Sequence, residues 1–234
     1  SPYTLSLHDA LPILEKFRKI RNDADCGEGG ELGELLLYLF VENRLQAPKI
    51  LSKMEIKTTQ NQYVFGADGV FFYQTKDLEG KPLYQFVIGE AKIQNDILVA
   101  TRAALDSLNN SFNEIDIETG LVSLGILKEV CDKEKANIIK ELILPKEDIT
   151  ETIITHEKAC SIFIGYSVDY DDNVPNQEWN VNVDERIKND IGRAVETMKS
   201  KIVKLGLTGY SFYCYFMPFN KADVDRKTIM ESIL

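Results

Sequence analysis

Residues 63–92 decide the reading of this chain: Tyr-Val-Phe-Gly-Ala-Asp-Gly-Val-Phe-Phe-Tyr-Gln (63–74), a link Thr-Lys-Asp-Leu-Glu-Gly-Lys-Pro-Leu (75–83), then Tyr-Gln-Phe-Val-Ile-Gly-Glu-Ala-Lys (84–92). The flanking stretches are rich in Val, Phe and Tyr, which suit a pleated, packed surface, while the link carries the Asp, Gly and Pro of a turn. Strands are therefore expected over 63–74 and 84–92, paired as an antiparallel hairpin. If the hairpin is centred near Glu79, residue 68 falls opposite residue 90, and opposed residues have Cα atoms about 4.5–5.5 Å apart. A slip of one residue would send the side chains to the other face, so the argument depends on that register.

The register matters because of what it delivers. Side chains alternate along a strand, so Glu90 and Lys92 project from one face, about 7 Å apart. Asp68 and Glu90 can then share one cation, and two carboxylates this close are costly to bury unless a cation or proton neutralises them. An oxygen-only donor set suits Mg²⁺ or Mn²⁺. A lysine beside them can orient or deprotonate water, and the set is the minimum apparatus for metal-assisted phosphodiester hydrolysis. Gly66, Gly69 and Gly89 lack side chains and are expected to let a bulky polymer come close.

Upstream, Glu31 to Arg44 reads as a helix apolar nearly all round, with Leu32, Leu35, Leu36, Leu37, Leu39, Phe40 and Val41, as in a helix buried in a core. Glu31 and Glu34 lie on adjacent parts of one face. Glu34 sits deeper, where an unpaired charge is disfavoured, so it is the candidate third carboxylate, with Glu31 equally near. Lys53 to Thr58 is a candidate strand. Downstream, Ile97 to Leu108 reads as a helix, Gly120 to Leu144 as mainly helical and Ala159 to Tyr166 as a buried strand. Asp169 to Trp179 reads as an acidic loop, Val183 to Leu205 as a long amphipathic helix, Tyr210 to Met217 as an aromatic strand halted by Pro218, and Ala222 to Leu234 as a closing helix. The order is αβββα followed by αβαβα.

Composition narrows the function. At 234 residues, residues 14–234 suit a single α/β domain. Residues 1–13 are set aside, because Tyr3 to Ile13 matches the translation of a common short-read sequencing adapter, and the native start is expected to be missing. That leaves His156, read as a surface or capping residue, as the one native histidine, which makes a His-based triad or zinc site hard to build. The cysteines Cys26, Cys131, Cys160 and Cys214 stand singly, as expected of reduced thiols and a cytoplasmic location. No apolar run is long enough to span a bilayer, and no small-molecule cofactor motif is present. A net charge of −10 counts against free-standing DNA binding, since phosphate affinity comes largely from Lys and Arg. Ser161 and Ser211 have no indicated base. The aromatics Tyr210, Phe212, Tyr213, Tyr215 and Phe216 suit burial in a sheet better than base stacking.

The blocks Gly-Ala-Asp68-Gly and Gly-Glu90-Ala-Lys92 resemble the acidic and Glu-x-Lys elements of the PD-(D/E)xK nuclease superfamily. The helix Gly30-Glu31-Leu32-Gly33-Glu34-Leu35-Leu36, the block from Val87 to Lys92, and the strands Ile162 to Tyr166 and Phe216 to Phe219 look more closely like HamA. HamA is the nuclease-like subunit of the Hachiman anti-phage defence system. The resemblance implies a restriction-endonuclease-like α/β core (αβββαβ), with a mixed sheet flanked by helices. It implies a Mg²⁺-dependent deoxyribonuclease restrained by a partner helicase of the HamB type, with Asp68, Glu90 and Glu34 on the metal and Lys92 activating water. A non-catalytic subunit that docks on a helicase, and an RNA nuclease, stay open as alternatives.

Overall fold

The computed structural model describes residues 30–47, 49–52, 67–77, 79–114, 156–170 and 176–233. The segment after Gly30 forms α1 (Glu31–Phe40), and the next five residues widen into a π-helical turn, Val41–Leu45, ended by Gln46 in a left-handed conformation. Strands β1 (Lys49–Ser52), β2 (Gly69–Lys76) and β3 (Pro82–Ile93) follow, then helix α2 (Ile97–Glu114). After residue 155 come β4 (His156–Ser167), α3 (Asn176–Lys204), β5 (Ser211–Phe219) and α4 (Ala222–Ile233).

The five strands make one sheet in the order β1-β2-β3-β4-β5. The pairs β1–β2 and β2–β3 are antiparallel, and β3–β4 and β4–β5 are parallel. The architecture is thus α/β, with a mixed sheet between helices, as expected. The hairpin turn is held by Asp77, whose Oδ1 accepts from the backbone N–H groups of Glu79 (2.9 Å) and Lys81 (2.8 Å). Gly80 supplies the positive φ of 82° that the turn requires.

Alternation along the strands splits the core in two. Phe86 and Ile88 of β3 join Val70, Phe72, Cys160, Ile162 and Ile164 under α2 and α3. Phe71, Val87, Ala91, Ala159 and Phe163 face α1, with Phe219 and Ala222 completing that side. Each layer buries a strip of the sheet, and burial of this apolar area at about 25 cal/mol per Å² is the main driving force. The two crossovers from β3 to β4 and from β4 to β5 require intervening chain, because parallel neighbours cannot be joined by a tight turn. Among the described residues, no helix is long and apolar enough to cross a membrane.

Several sequence expectations shift. The first strand lies at Lys49–Ser52, and the expected strand at 53–58 falls outside the described residues, as does the helical reading over 120–144. Asn176 to Trp179 belongs to the start of α3, not to a loop. Pro218 does not halt β5, which continues to Phe219. A proline is tolerated there because β5 is the last of the described strands, and among the described residues its outer row of N–H groups has no ladder to serve.

Candidate active site

The hairpin register is the one expected from its symmetry. Gly69 pairs with Gly89 and Val70 with Ile88, so one further step sets Asp68 against Glu90. Asp68 stands in the bend before β2, and both its main chain and its side chain grip β3. Its N–H donates to Gly89 O at 3.0 Å, and its Oδ2 accepts from the Ala91 N–H at 2.8 Å. These bonds bracket Glu90 from either side.

Both carboxylates are withdrawn from water, with Asp68 at 8% and Glu90 at 2% exposure. Lys92 answers part of that cost: its Nζ donates to Glu90 Oε1 at 2.6 Å, and its side chain retains 29% exposure. An ion pair at this distance inside a protein is strong but survives desolvation only when its geometry is close. Asp68, Glu90 and Lys92 are therefore brought together at the β2–β3 junction.

Glu34 lies in the first turn of α1, half-buried. The start of α1 runs close to the end of β3, where a Cβ on Gly33 would sit 3.2 Å from Ala91 Cβ. Glu34 is thus at the Glu90–Lys92 end of the sheet, but its helix packs on the opposite face from the one that Glu90 and Lys92 share with Ile88. Among the described residues, no group of three or more His, Cys, Asp or Glu side chains is arranged to hold a metal. The donor chemistry nevertheless fits a hard cation: two buried carboxylates, one in the bend before β2 and one on β3, with oxygen the only donor type.

One glycine expectation changes. A Cβ on Gly89 would lie 2.9 Å from both Leu37 Cδ2 and Phe71 Cε2. Its missing side chain therefore makes room for α1 and β2, not for an approaching polymer. Gly66 falls outside the described residues.

Sequence reasoning missed a polar tie at the same end of the sheet. Ser167 Oγ donates to Asn95 Oδ1 at 2.7 Å and accepts from the Ala222 N–H at 2.8 Å, while Asn95 Nδ2 donates to Asp223 Oδ2. The tie links the exit of β3, the end of β4 and the start of α4. Its members are 72 and 128 residues apart in sequence, so no local spacing announces it. Next to it, Asp96 caps α2 by accepting from the N–H groups of Leu98 (2.7 Å) and Val99 (2.9 Å).

Elsewhere, burial governs the titrating groups. It pushes the Cys160 thiol well up, with Cys214 adding to the effect, and raises Cys214 to about 11. Neither is a thiolate near neutral pH, so neither is a nucleophile. Burial first, then the charge of Asp190, takes Tyr166 up to about 12. Cys26 and Cys131 lie outside the described residues, and His156 opens β4.

The model of the HamA family matches the chain over residues 9–233. The chain belongs to the HamA family. Membership supports a role in anti-phage defence and covers every element described above. No curated protein and no solved structure shows significant similarity to the chain.

Proposed function

We propose that this HamA-family chain is the metal-dependent deoxyribonuclease subunit of an anti-phage defence complex, controlled by a partner helicase. The observation that carries the reading is the hairpin register, which sets Asp68 beside Glu90 and ties Lys92 to Glu90 at 2.6 Å. Asp68 and Glu90 would hold Mg²⁺ or Mn²⁺, and Glu34, whose helix packs on the other face of the sheet, would add a carboxylate only by reaching round the end of β3. Such a cation, when bound, supplies a Lewis acid for a phosphoryl oxygen and lowers the pKa of water.

The chain's own residues do the rest. The Ala91 N–H fixes the Asp68 carboxylate, so its position does not depend on a flexible rotamer. Glu90 anchors the Lys92 ammonium, whose partial exposure lets it meet a substrate from the solvent side. There Lys92 orients the attacking water and places positive charge where negative charge builds on the phosphorane oxygens. The net charge of −10 opposes DNA, so affinity is supplied by the partner, which also explains how cleavage is restrained when the partner is idle.

The test is DNA degradation by the purified complex with Mg²⁺, beside Glu90→Gln and Lys92→Met. Both variants are expected to lose cleavage while keeping their fold and their partner. Undiminished degradation by either would overturn the mechanism. An RNA substrate run in parallel separates the two nucleic acids.

A further inference from the structure

A groove of about 570 Å³ runs along β5, the last strand of the sheet. One wall is Phe40, Arg44 and Leu45, from the end of α1 and the π-helical turn. The rest is five consecutive strand residues, Phe212 to Phe216. Successive strand residues point to opposite faces, so a groove lined by all five straddles the edge of the sheet itself. Among the described residues, no strand pairs with the outer edge of β5.

The groove is built, and its polar groups are donors. Phe40 lies over Phe163 and Tyr215, with ring centroids 5.7 and 5.2 Å apart, which fixes the wall. Tyr213 is pinned by donating to Gln85 Oε1 at 2.7 Å, and Gln85 in turn donates to Glu157. The Tyr215 hydroxyl is buried with no hydrogen-bond partner among the described residues. Arg44 is exposed, and its charge acts on that hydroxyl. A π-helical turn is rare and tends to mark functional positions, and here it carries Arg44 and Leu45 to the rim.

We infer that the β5 groove docks an extended segment of the partner subunit by strand addition, the segment apolar at alternate positions and carrying one carboxylate that meets Arg44 and Tyr215. A polypeptide fits better than a nucleic acid, because an edge strand offers a row of backbone donors and acceptors that only another backbone matches in spacing. A second copy of this chain fits less well. Each copy carries −10, and Pro218 removes one N–H from the far end of the edge, shortening the ladder that a symmetric pair needs. The inference rests on the partner reading above but not on the chemistry of Asp68, Glu90 and Lys92.

The experiment is hydrogen exchange on the full chain, alone and in complex with the helicase proposed above, together with binding of Arg44→Glu. Amides of residues 211–217 are expected to gain protection in the complex. Arg44→Glu is expected to weaken association at least about tenfold, or about 1.4 kcal/mol, with the exchange of the free variant unchanged. A complex that forms with no gain along β5 and equal affinity for the variant overturns this inference alone. No complex at all overturns the partner reading and this inference with it. Protection of β5 by an eight-nucleotide oligothymidylate, and not by the helicase, makes the groove a nucleic-acid site and likewise overturns it.

Discussion

Lys92→Met separates the structural role of the Glu90–Lys92 pair from the chemical role proposed for it. Glu90 is 2% exposed and its Oε1 is held by the Lys92 ammonium at 2.6 Å. Removing the ammonium strips positive charge from a carboxylate that water scarcely reaches. Breaking one half of a buried pair costs about 3–5 kcal/mol. Lys92 keeps 29% exposure, so solvent screens part of the interaction, and a loss of about 2–3 kcal/mol follows. For a chain of this size that is about 4–12 °C in Tm. Replacing both partners, Glu90→Leu with Lys92→Met, removes the charge along with its partner and is expected to melt near the wild type.

The divalent cation then provides a readout independent of cleavage. A ligand that binds only the folded state adds about 2.7 kcal/mol at a hundredfold excess over its Kd. In Lys92→Met a cation can take over the neutralising role of the lost ammonium. Mg²⁺ is therefore expected to raise the Tm of Lys92→Met by more than it raises the wild type, and to leave the double variant unmoved. Differential scanning calorimetry in EDTA and in Mg²⁺ measures all three. A Lys92→Met protein that melts with the wild type in EDTA, or the same Mg²⁺ shift in all three proteins, would refute the reasoning.

Gly89→Ala places a Cβ 2.9 Å from Leu37 Cδ2 and Phe71 Cε2; an overpacked core loses about 1–3 kcal/mol, which urea denaturation reads, and an unchanged midpoint would show that α1 shifts freely. Alkaline pH offers a second check. Burial raises Cys214 from 9.0 to about 11 and Tyr215 from 10.0 to about 12, so the folded state holds these protons more tightly than the unfolded one. Their stabilising contribution is whole below pH 9 and is lost as pH climbs through those windows. Tm is thus expected to fall between pH 9 and 12, and Cys214→Ser to flatten the fall between 9 and 11; a variant with an unchanged slope would rule out Cys214 as a source.

The hairpin was legible because its two signals agree: β-rich apolar runs on either side, and an Asp77-to-Pro82 turn whose centre predicts the 68-to-90 register. The same local logic located α2, β4 and α4 within a few residues. It failed where tertiary position overrides local preference. Pro218 reads as a strand breaker, yet at the last of the described strands the missing N–H costs no ladder bond to any described neighbour. Gly89 reads as space for a substrate, yet the space is taken by Leu37 from a helix more than fifty residues earlier in the chain. The tie of Asn95, Ser167 and Asp223 had no local signature, since three strand and helix ends must first converge.

That convergence explains why chemistry would be built at this end of the sheet. β3 is the strand at which the sheet changes from antiparallel pairing with β2 to parallel pairing with β4. A hairpin turn closes the other end of the β2–β3 pair, at Asp77 to Lys81. At the Glu90 end no turn intervenes, and the chain arrives at β2 through Asp68 and departs from β3 through Asn95. The carboxyl ends of the parallel strands β3, β4 and β5 lie at this same end, the side on which open α/β sheets commonly bind ligands. Here that end is held by rigid elements: Asp68 is bonded to β3, Asn95 to β4 and α4, and α2 is capped by Asp96. A displaced Asn95, as in Asn95→Ala, loosens the exit of β3 three residues from Lys92 without touching the carboxylates themselves. The Glu90–Lys92 pair depends on its neighbours for position, and the fold supplies them from four separate elements.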